Sequence, residues 1–167
     1  GTESTEGTGS TKSTEPADNI EVGSKEPPII LTPIENDRRV EAALQKLSLL
    51  RAKKVIFLGQ GKGAAVAINA LTSKALMVDG LILINMADGD TNYQVSEINI
   101  PILDIYGSSS FTQIPTAVQK RKAIMLRNNK HNYDTRHITT VDYHFRDASN
   151  ALVARVHSWL EKQFVNN

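Results

Sequence analysis

The chain has 167 residues, 40% of them hydrophobic, and a formal net charge of +1, which fits one modest globular domain with no bias toward nucleic acid or a membrane surface. No apolar run is long enough to span a bilayer, and neither a basic leader nor an apolar targeting core is visible, so the chain reads as soluble and its compartment stays open. The absence of cysteine excludes disulfides, thiolate catalysis and cysteine-based metal sites.

From Gly1 to Glu26 the sequence is Thr, Ser, Gly and Glu with almost no large apolar residue, and its acidic residues outnumber Lys12 and Lys25. Such a segment cannot bury enough surface to offset the entropy of ordering, so it is expected to be a disordered tail or linker, leaving the domain to residues 27–167. Pro27, Pro28 and Pro33 bracket Ile29-Ile30-Leu31, a candidate edge piece. Asn36 or Asp37 is a candidate N-cap for an amphipathic helix with Val40, Ala43, Leu44, Leu47 and Leu50 on one face.

Val55-Ile56-Phe57-Leu58 is a short buried-type strand, followed by a glycine-rich turn and a small-residue helix from Ala64 to Ala75. The pattern repeats with strands at Leu81 to Ile84, Ile102 to Tyr106 and Arg136 to Val141, the last more alternating and so nearer an edge. Helices fit Thr116 to Arg127 and Ala148 to Phe164, the latter with Leu152, Val156, Trp159, Leu160 and Phe164 along its buried side. The basic stretch Lys120, Arg121, Lys122, Arg127, Lys130 and Arg136 reads as a solvated face. Strands alternating with helices imply right-handed crossovers: an α/β fold with a mostly parallel sheet of about four strands and flanking helices.

In such sheets, chemistry gathers at the carboxyl ends of the strands. After the first strand comes Gly59-Gln60-Gly61-Lys62-Gly63-Ala64, in the spacing of the G-x-S-x-G nucleophile elbow. The middle residue must offer an oxygen, and Gly61 offers none. A dinucleotide fingerprint would set Ala64 as the last glycine and Asp79 as the acid, but Asp79 precedes the second strand when it should follow it. A P-loop fails, because Lys62 is followed by Gly63 and the required first glycine would be Ile56. A glycine-rich packing turn remains, whose helix-start amides could still hold an anion.

The combination of Val55 to Ala65, Ile100-Pro101-Ile102-Leu103-Asp104-Ile105-Tyr106, Arg121-Lys122-Ala123 and Val156-His157-Ser158-Trp159-Leu160-Glu161 resembles a bacterial family of α/β-hydrolase-like proteins, the domain-of-unknown-function family 3530. The similarity runs from about Asp37 to Phe164. It implies that Val55 to Leu58 is the strand before the nucleophile and that the chain holds the C-terminal half of a hydrolase-like sheet, hence a partial domain. The triad acid would follow the strand Ile102 to Tyr106, where Gly107-Ser108-Ser109-Ser110 has no carboxylate. Asp88 and Asp90 are the alternative acids of the resemblance, a turn being their other reading. Asp104 is within a strand and reads as structural. His144, in Asp142-Tyr143-His144-Phe145, matches the general-base position. One oxyanion donor would be the amide of Lys62, and nothing in Gly1 to Glu26 resembles the loop that brings the other.

A base without a nucleophile performs no ordinary acyl transfer, and losing the nucleophile alone costs on the order of a million-fold in a serine protease. The sequence therefore favours a non-catalytic binding or interaction domain with a degenerate elbow (Gly59, Gly61, Gly63), using Gln60, Gly61 and Lys62 to hold a small acyl or anionic ligand. The alternative is an esterase- or thioesterase-like hydrolase built on His144, Asp88 or Asp90 and an activated water. His131 and His137 flank Tyr133 and could approach each other, but without ligand spacing no metal is expected, and no cofactor is implied. His157 belongs to a helix's polar face. Because the final helix would cover one sheet face almost alone, the outer edge of Val55 to Leu58 is expected to be exposed. Its partner would be a missing N-terminal half, a second copy or the Ile29-Ile30-Leu31 piece.

Overall fold

A computed structural model describes residues 33–74, 76–87, 89, 91–108 and 113–165. The Gly1 to Glu26 segment, Ile29-Ile30-Leu31, Asp88 and Asp90 lie outside the described residues. In chain order the elements are α1 (Pro33–Leu49), β1 (Ile56–Gln60), α2 (Lys62–Lys74), β2 (Gly80–Ile84), α3 (Thr91–Gln94), β3 (Ile102–Gly107), α4 (Gln113–Arg127), β4 (Tyr133–Ile138) and α5 (Ser149–Phe164), with short 3-10 turns at Val95–Glu97 and Arg146–Ala148.

The four strands form one sheet in the order β1-β2-β3-β4, and every neighbouring pair is parallel, as the α/β reading requires. The central strands are buried from end to end: Gly80–Ile84 throughout, and Ile102–Gly107 except at the half-buried Tyr106. That burial is why they read as continuous apolar runs without alternation. β4 begins three residues earlier than its alternating pattern suggested. Its register is set by Ile102 opposite Tyr133, and the ladder ends before Thr139-Thr140-Val141, the β-branched run that drew the sequence reading too far. α1 likewise starts ahead of Asn36 and Asp37, at Pro33, because proline lacks only an N–H that the first turn leaves unpaired anyway.

The side-chain period of two divides the sheet into faces. Leu81, Leu83 and Ile102 point to one side and pack with Ala64, Ala67 and Ile68 of α2 and Met125 of α4. Ile82, Ile84, Leu103 and Ile105 point to the other and pack with Trp159 and, around it, Leu152, Val156, Leu160 and Phe164 of α5. Successive right-handed crossovers put α2 and α4 together, and among the described residues α5 is the long helix on the other face, with Phe145 beside it. α1 joins α2 through Lys74, whose ammonium meets Glu41 at 2.6 Å and Asp37 at 3.6 Å. Among the described residues β1 is an edge strand, and Leu58 is 57% exposed there. Among the described residues no helix is long and apolar enough to cross a membrane.

The basic run on α4 is not uniformly solvated. Arg121 is fully buried, because it falls on the same stripe as Ile114, Ala117, Val118, Ile124 and Met125.

Candidate functional site

β1 runs into the elbow without a break. Gly59 is buried, and a Cβ there would come within 2.5 Å of the Ala64 nitrogen and the Gly63 oxygen, so only glycine lets α2 start this close to the strand. Gly61 follows at φ +53°, the left-handed conformation that glycine adopts at no steric cost. Its N–H donates to the Ile84 carbonyl at 2.9 Å, and its own carbonyl accepts from the Ala64 N–H at 3.2 Å. The turn is thus tight, and its central residue carries no side chain.

The space in front of Gly61 is taken by Tyr143. A Cβ on Gly61 would be 3.0 Å from the Tyr143 hydroxyl, which donates to the Asn85 carbonyl at 3.4 Å. Tyr143 is held in turn by its backbone carbonyl, which accepts from Asn85 Nδ2 at 2.8 Å and from Gln60 Nε2 at 3.5 Å. Asn85 knits the carboxyl ends of β2 and β3 to the segment that follows β4. Fully buried and at φ +46°, it donates its N–H to the Ile105 carbonyl at 2.9 Å and accepts from the Gly107 N–H through Oδ1 at 3.0 Å. Asparagine tolerates this backbone region better than other non-glycine residues.

These residues wall a cleft of about 590 Å³ at the carboxyl end of the sheet, where Gly61, Lys62, Asn69, Asn85 and Tyr143 face Gln94 and Gln113. That volume suits a small ligand. Met86 and Ala87 of the far wall are positioned by Arg121. Its guanidinium donates to the carbonyls of Met86 at 3.0 Å and Ala87 at 3.5 Å, to Asn92 Oδ1 at 2.9 Å and, through Nε, to Asp104 Oδ2 at 2.8 Å. Tyr133 donates its hydroxyl to the same Asp104 oxygen at 2.5 Å. Burial pushes the Asp104 carboxyl above its ordinary range against the opposing pull of Arg121, and burial together with the Asp104 charge holds the Tyr133 hydroxyl far above its own.

His144, the candidate base, follows Tyr143 directly and meets its ring edge-on, with centroids 5.1 Å apart. Its backbone N–H donates to Asp142 Oδ1 at 3.1 Å. Asp142 is engaged by Arg146, whose Nε donates to Oδ2 at 2.6 Å and which is the main reason the carboxyl lies well below its usual range. Among the described residues no carboxylate is hydrogen-bonded to the His144 ring. Lys62 is exposed at the cleft mouth. Gly63 has open space around it. Asp79 lies at the opposite end of the sheet, where it accepts from the Val55 N–H at 2.8 Å and from Lys54 at 2.9 Å, so it has no part in a dinucleotide site at the elbow. His157 is exposed on α5 beside Glu161, 3.5 Å away. No group of three or more metal-ligating side chains occurs among the described residues.

Tyr143 and Asn85 carry the site's geometry, and sequence reasoning singled out neither for it. The signal for Asn85 was available: an asparagine just past a buried strand marks a candidate left-handed turn. Tyr143 had no local signal, since its role comes from a segment far along the chain.

A four-stranded parallel sheet with helices on both faces and a tight glycine turn between β1 and α2 is an α/β fold of the kind found in hydrolases. The chain belongs to the family described as protein of unknown function (DUF3530), whose model matches residues 2–162. Among solved structures it is similar to an uncharacterized protein from Bacillus cereus ATCC 10987, with a TM-score of 0.62 at 16% identity over 78% of this chain and 44% of that one. It is also similar to a predicted CIB-like hydrolase from Thermoplasma acidophilum, with a TM-score of 0.61 at 12% identity over 78% of this chain and 60% of that one. A third is a novel bacterial esterase, with a TM-score of 0.59 at 12% identity over 80% and 44%. The chain thus spans between about two fifths and three fifths of the length of these three structures. No curated protein matches it.

Proposed function

We propose that this chain is a non-catalytic α/β-hydrolase-like domain, a pseudoenzyme in its elbow, whose cleft binds a small acyl or anionic ligand. One observation carries the reading: the nucleophile position is Gly61, and the Tyr143 hydroxyl stands 3.0 Å from where a side chain would begin. A hydroxyl on a rigid aromatic ring there fills the volume that an attacking serine would need. What is left is a cleft of mostly apolar surface, with Ala65, Met86, Ala87 and Ile114 in its lining, the ammonium of Lys62 at its mouth and the amides of Asn69, Gln94 and Gln113 around it. Such a lining suits a small acyl group, its chain against the apolar wall and its carboxylate or carbonyl toward Lys62 and the amides.

The alternative hydrolase, with His144 activating a water, draws on the contact between His144 and Tyr143 beside the cleft, and Asp88 and Asp90 remain its candidate acids. Titrating the full chain with short-chain carboxylates while following backbone amide resonances tests the binding reading. Shifts should concentrate at Gly61 to Ala65 and weaken in Lys62→Ala. Saturable hydrolysis of simple esters or thioesters that disappears in His144→Ala would replace it with the hydrolase.

A further inference from the structure

A second pair of groups capable of chemistry lies at the carboxyl end of the sheet, apart from the elbow cleft. β3 closes on Gly107, and the N–H of Ser108 donates to the Ile138 carbonyl at 3.0 Å, one step beyond the last ladder pair, Gly107 opposite Ile138. The same register sets Tyr106 opposite His137, and their rings lie 5.1 Å apart at 41°. The Ser108 backbone is therefore fixed by the ladder and the His137 imidazole by an aromatic neighbour. Their side chains meet: Ser108 Oγ is 3.1 Å from His137 Nε2. Both residues are exposed, and neither lines the cleft at Gly61.

We infer that Ser108 and His137 form a nucleophile–base pair, and that Ser108 is an acyl-acceptor site for activated esters and thioesters. A serine hydroxyl attacks a carbonyl only when a base within about 2.6–3.2 Å takes its proton and a further group orients that base. The Oγ to Nε2 distance meets the first requirement and Tyr106 the second. The competing acceptor for the Oγ proton is the Ile138 carbonyl, which is farther at 3.4 Å and far less basic than an imidazole.

In the reacting tautomer Nδ1 carries the ring proton. Oγ bonds to the acyl carbon as its proton passes to Nε2. The tetrahedral adduct collapses by breaking the bond to the alkoxide or thiolate, which leaves with the proton returned from the imidazolium. The products are an ester on Ser108, a free alcohol or thiol, and neutral His137, with no oxidant or co-reactant. No carboxylate is hydrogen-bonded to the His137 ring among the described residues, so the pair suits a single acylation event better than rapid turnover. This inference does not rest on the reading of the cleft, because a ligand-binding elbow without acyl transfer and an acylated Ser108 can coexist in one chain.

The test is peptide mapping by mass spectrometry after the full chain reacts, separately, with an aryl acetate and an alkyl fluorophosphonate. A label on Ser108 is expected, absent in Ser108→Ala, formed on the order of 100-fold more slowly in His137→Gln, and lost when the chain is unfolded in concentrated urea. Both side chains are exposed, so the variants should melt as the parent does, and mapping of the parent with its urea control decides the matter even if a variant does not fold. No label, a label on other residues such as Ser109 or Ser110, or a Ser108 label whose rate ignores His137 or urea would overturn the inference. Amide shifts at Gly61 to Ala65 on carboxylate addition report the cleft independently, so failure of either claim is visible by itself.

Discussion

The two faces of the sheet are buried by different chemistry. Against α2 and α4 the apolar cluster is interrupted by a fully buried ion pair, Arg121 with Asp104, tied to Tyr133 and Asn92. Against α5 the buried cluster is built from hydrophobic side chains, Ile82, Ile84, Leu103, Ile105, Ile138, Phe145 and Trp159, with Trp159 Nε1 buried in it and, among the described residues, without a hydrogen-bond partner. An apolar face needs only volume and shape, whereas a buried charge must be matched atom by atom. The charged face therefore stabilises one geometry of the chain segment it touches, and that segment, at Met86 and Ala87, lines the cleft. Damage to the α5 face should lower stability alone, while damage to the ion pair should lower stability and alter ligand binding.

The largest effect expected is for Arg121→Met. It leaves Asp104 buried without its partner, at a cost of about 3–5 kcal/mol in urea denaturation. The double variant Arg121→Met with Asp104→Leu should recover most of that stability, yet the cleft wall should remain unanchored and carboxylate binding weak. Recovery of binding along with stability would erase the difference between the faces. Leu103→Ala, on the α5 face, should cost about 2–5 kcal/mol through lost burial and the cavity left behind. Its cleft amide resonances should respond to carboxylates as the parent's do, read at a temperature where both are folded.

A smaller effect is expected at the elbow. Gly61→Ser places a side chain at φ +53° and against Tyr143, with a backbone penalty of about 1–3 kcal/mol. Tyr143→Phe in the same chain should return part of this by removing the opposing oxygen, and a strictly additive pair would show that the two positions do not meet. The smallest concerns pH. The Asp79 carboxyl lies below its ordinary range, chiefly because Lys54 donates to it and then because the Val55 N–H does. A depressed carboxyl contributes stability above its unfolded value of about 3.9 and loses it as pH falls through the folded value. Thermal midpoints should therefore drop below about pH 4, less steeply in Asp79→Asn.

How much of this was legible in the sequence depended on whether the signal was local. The strands Leu81 to Ile84 and Ile102 to Tyr106, the glycine turn after β1 and the buried side of α5 followed from apolar runs and helical spacing. Arg121 was read as part of a solvated run because it stands among basic residues, and its neighbours Lys120 and Lys122 are exposed. Its three- and four-residue spacing from Ala117, Val118, Ile124 and Met125 carried the contrary signal. Ser108 stood in view as a residue with no carboxylate where an acid was sought, but its partner depends on the β3–β4 register, which was read three residues late. Tyr143 reaches Gly61 across the fold, and no pattern along the chain encodes that approach.

The strand order has a kinetic consequence. Each strand pairs with its immediate successor in the chain, Ile56 with Gly80, Leu81 with Ile102 and Ile102 with Tyr133, so no pairing has to wait for a distant segment. Loops of this modest length close at similar entropic cost, and the sheet can grow outward from its middle as a row of strand-helix-strand units. β2 and β3, buried on both faces, are the natural seed, with β1 and β4 adding at either side. Amide hydrogen exchange under native conditions should then rank the strands by position: slowest in Leu81 to Leu83 and Leu103 to Ile105, and fastest in β1, whose outer edge opens without disturbing the rest.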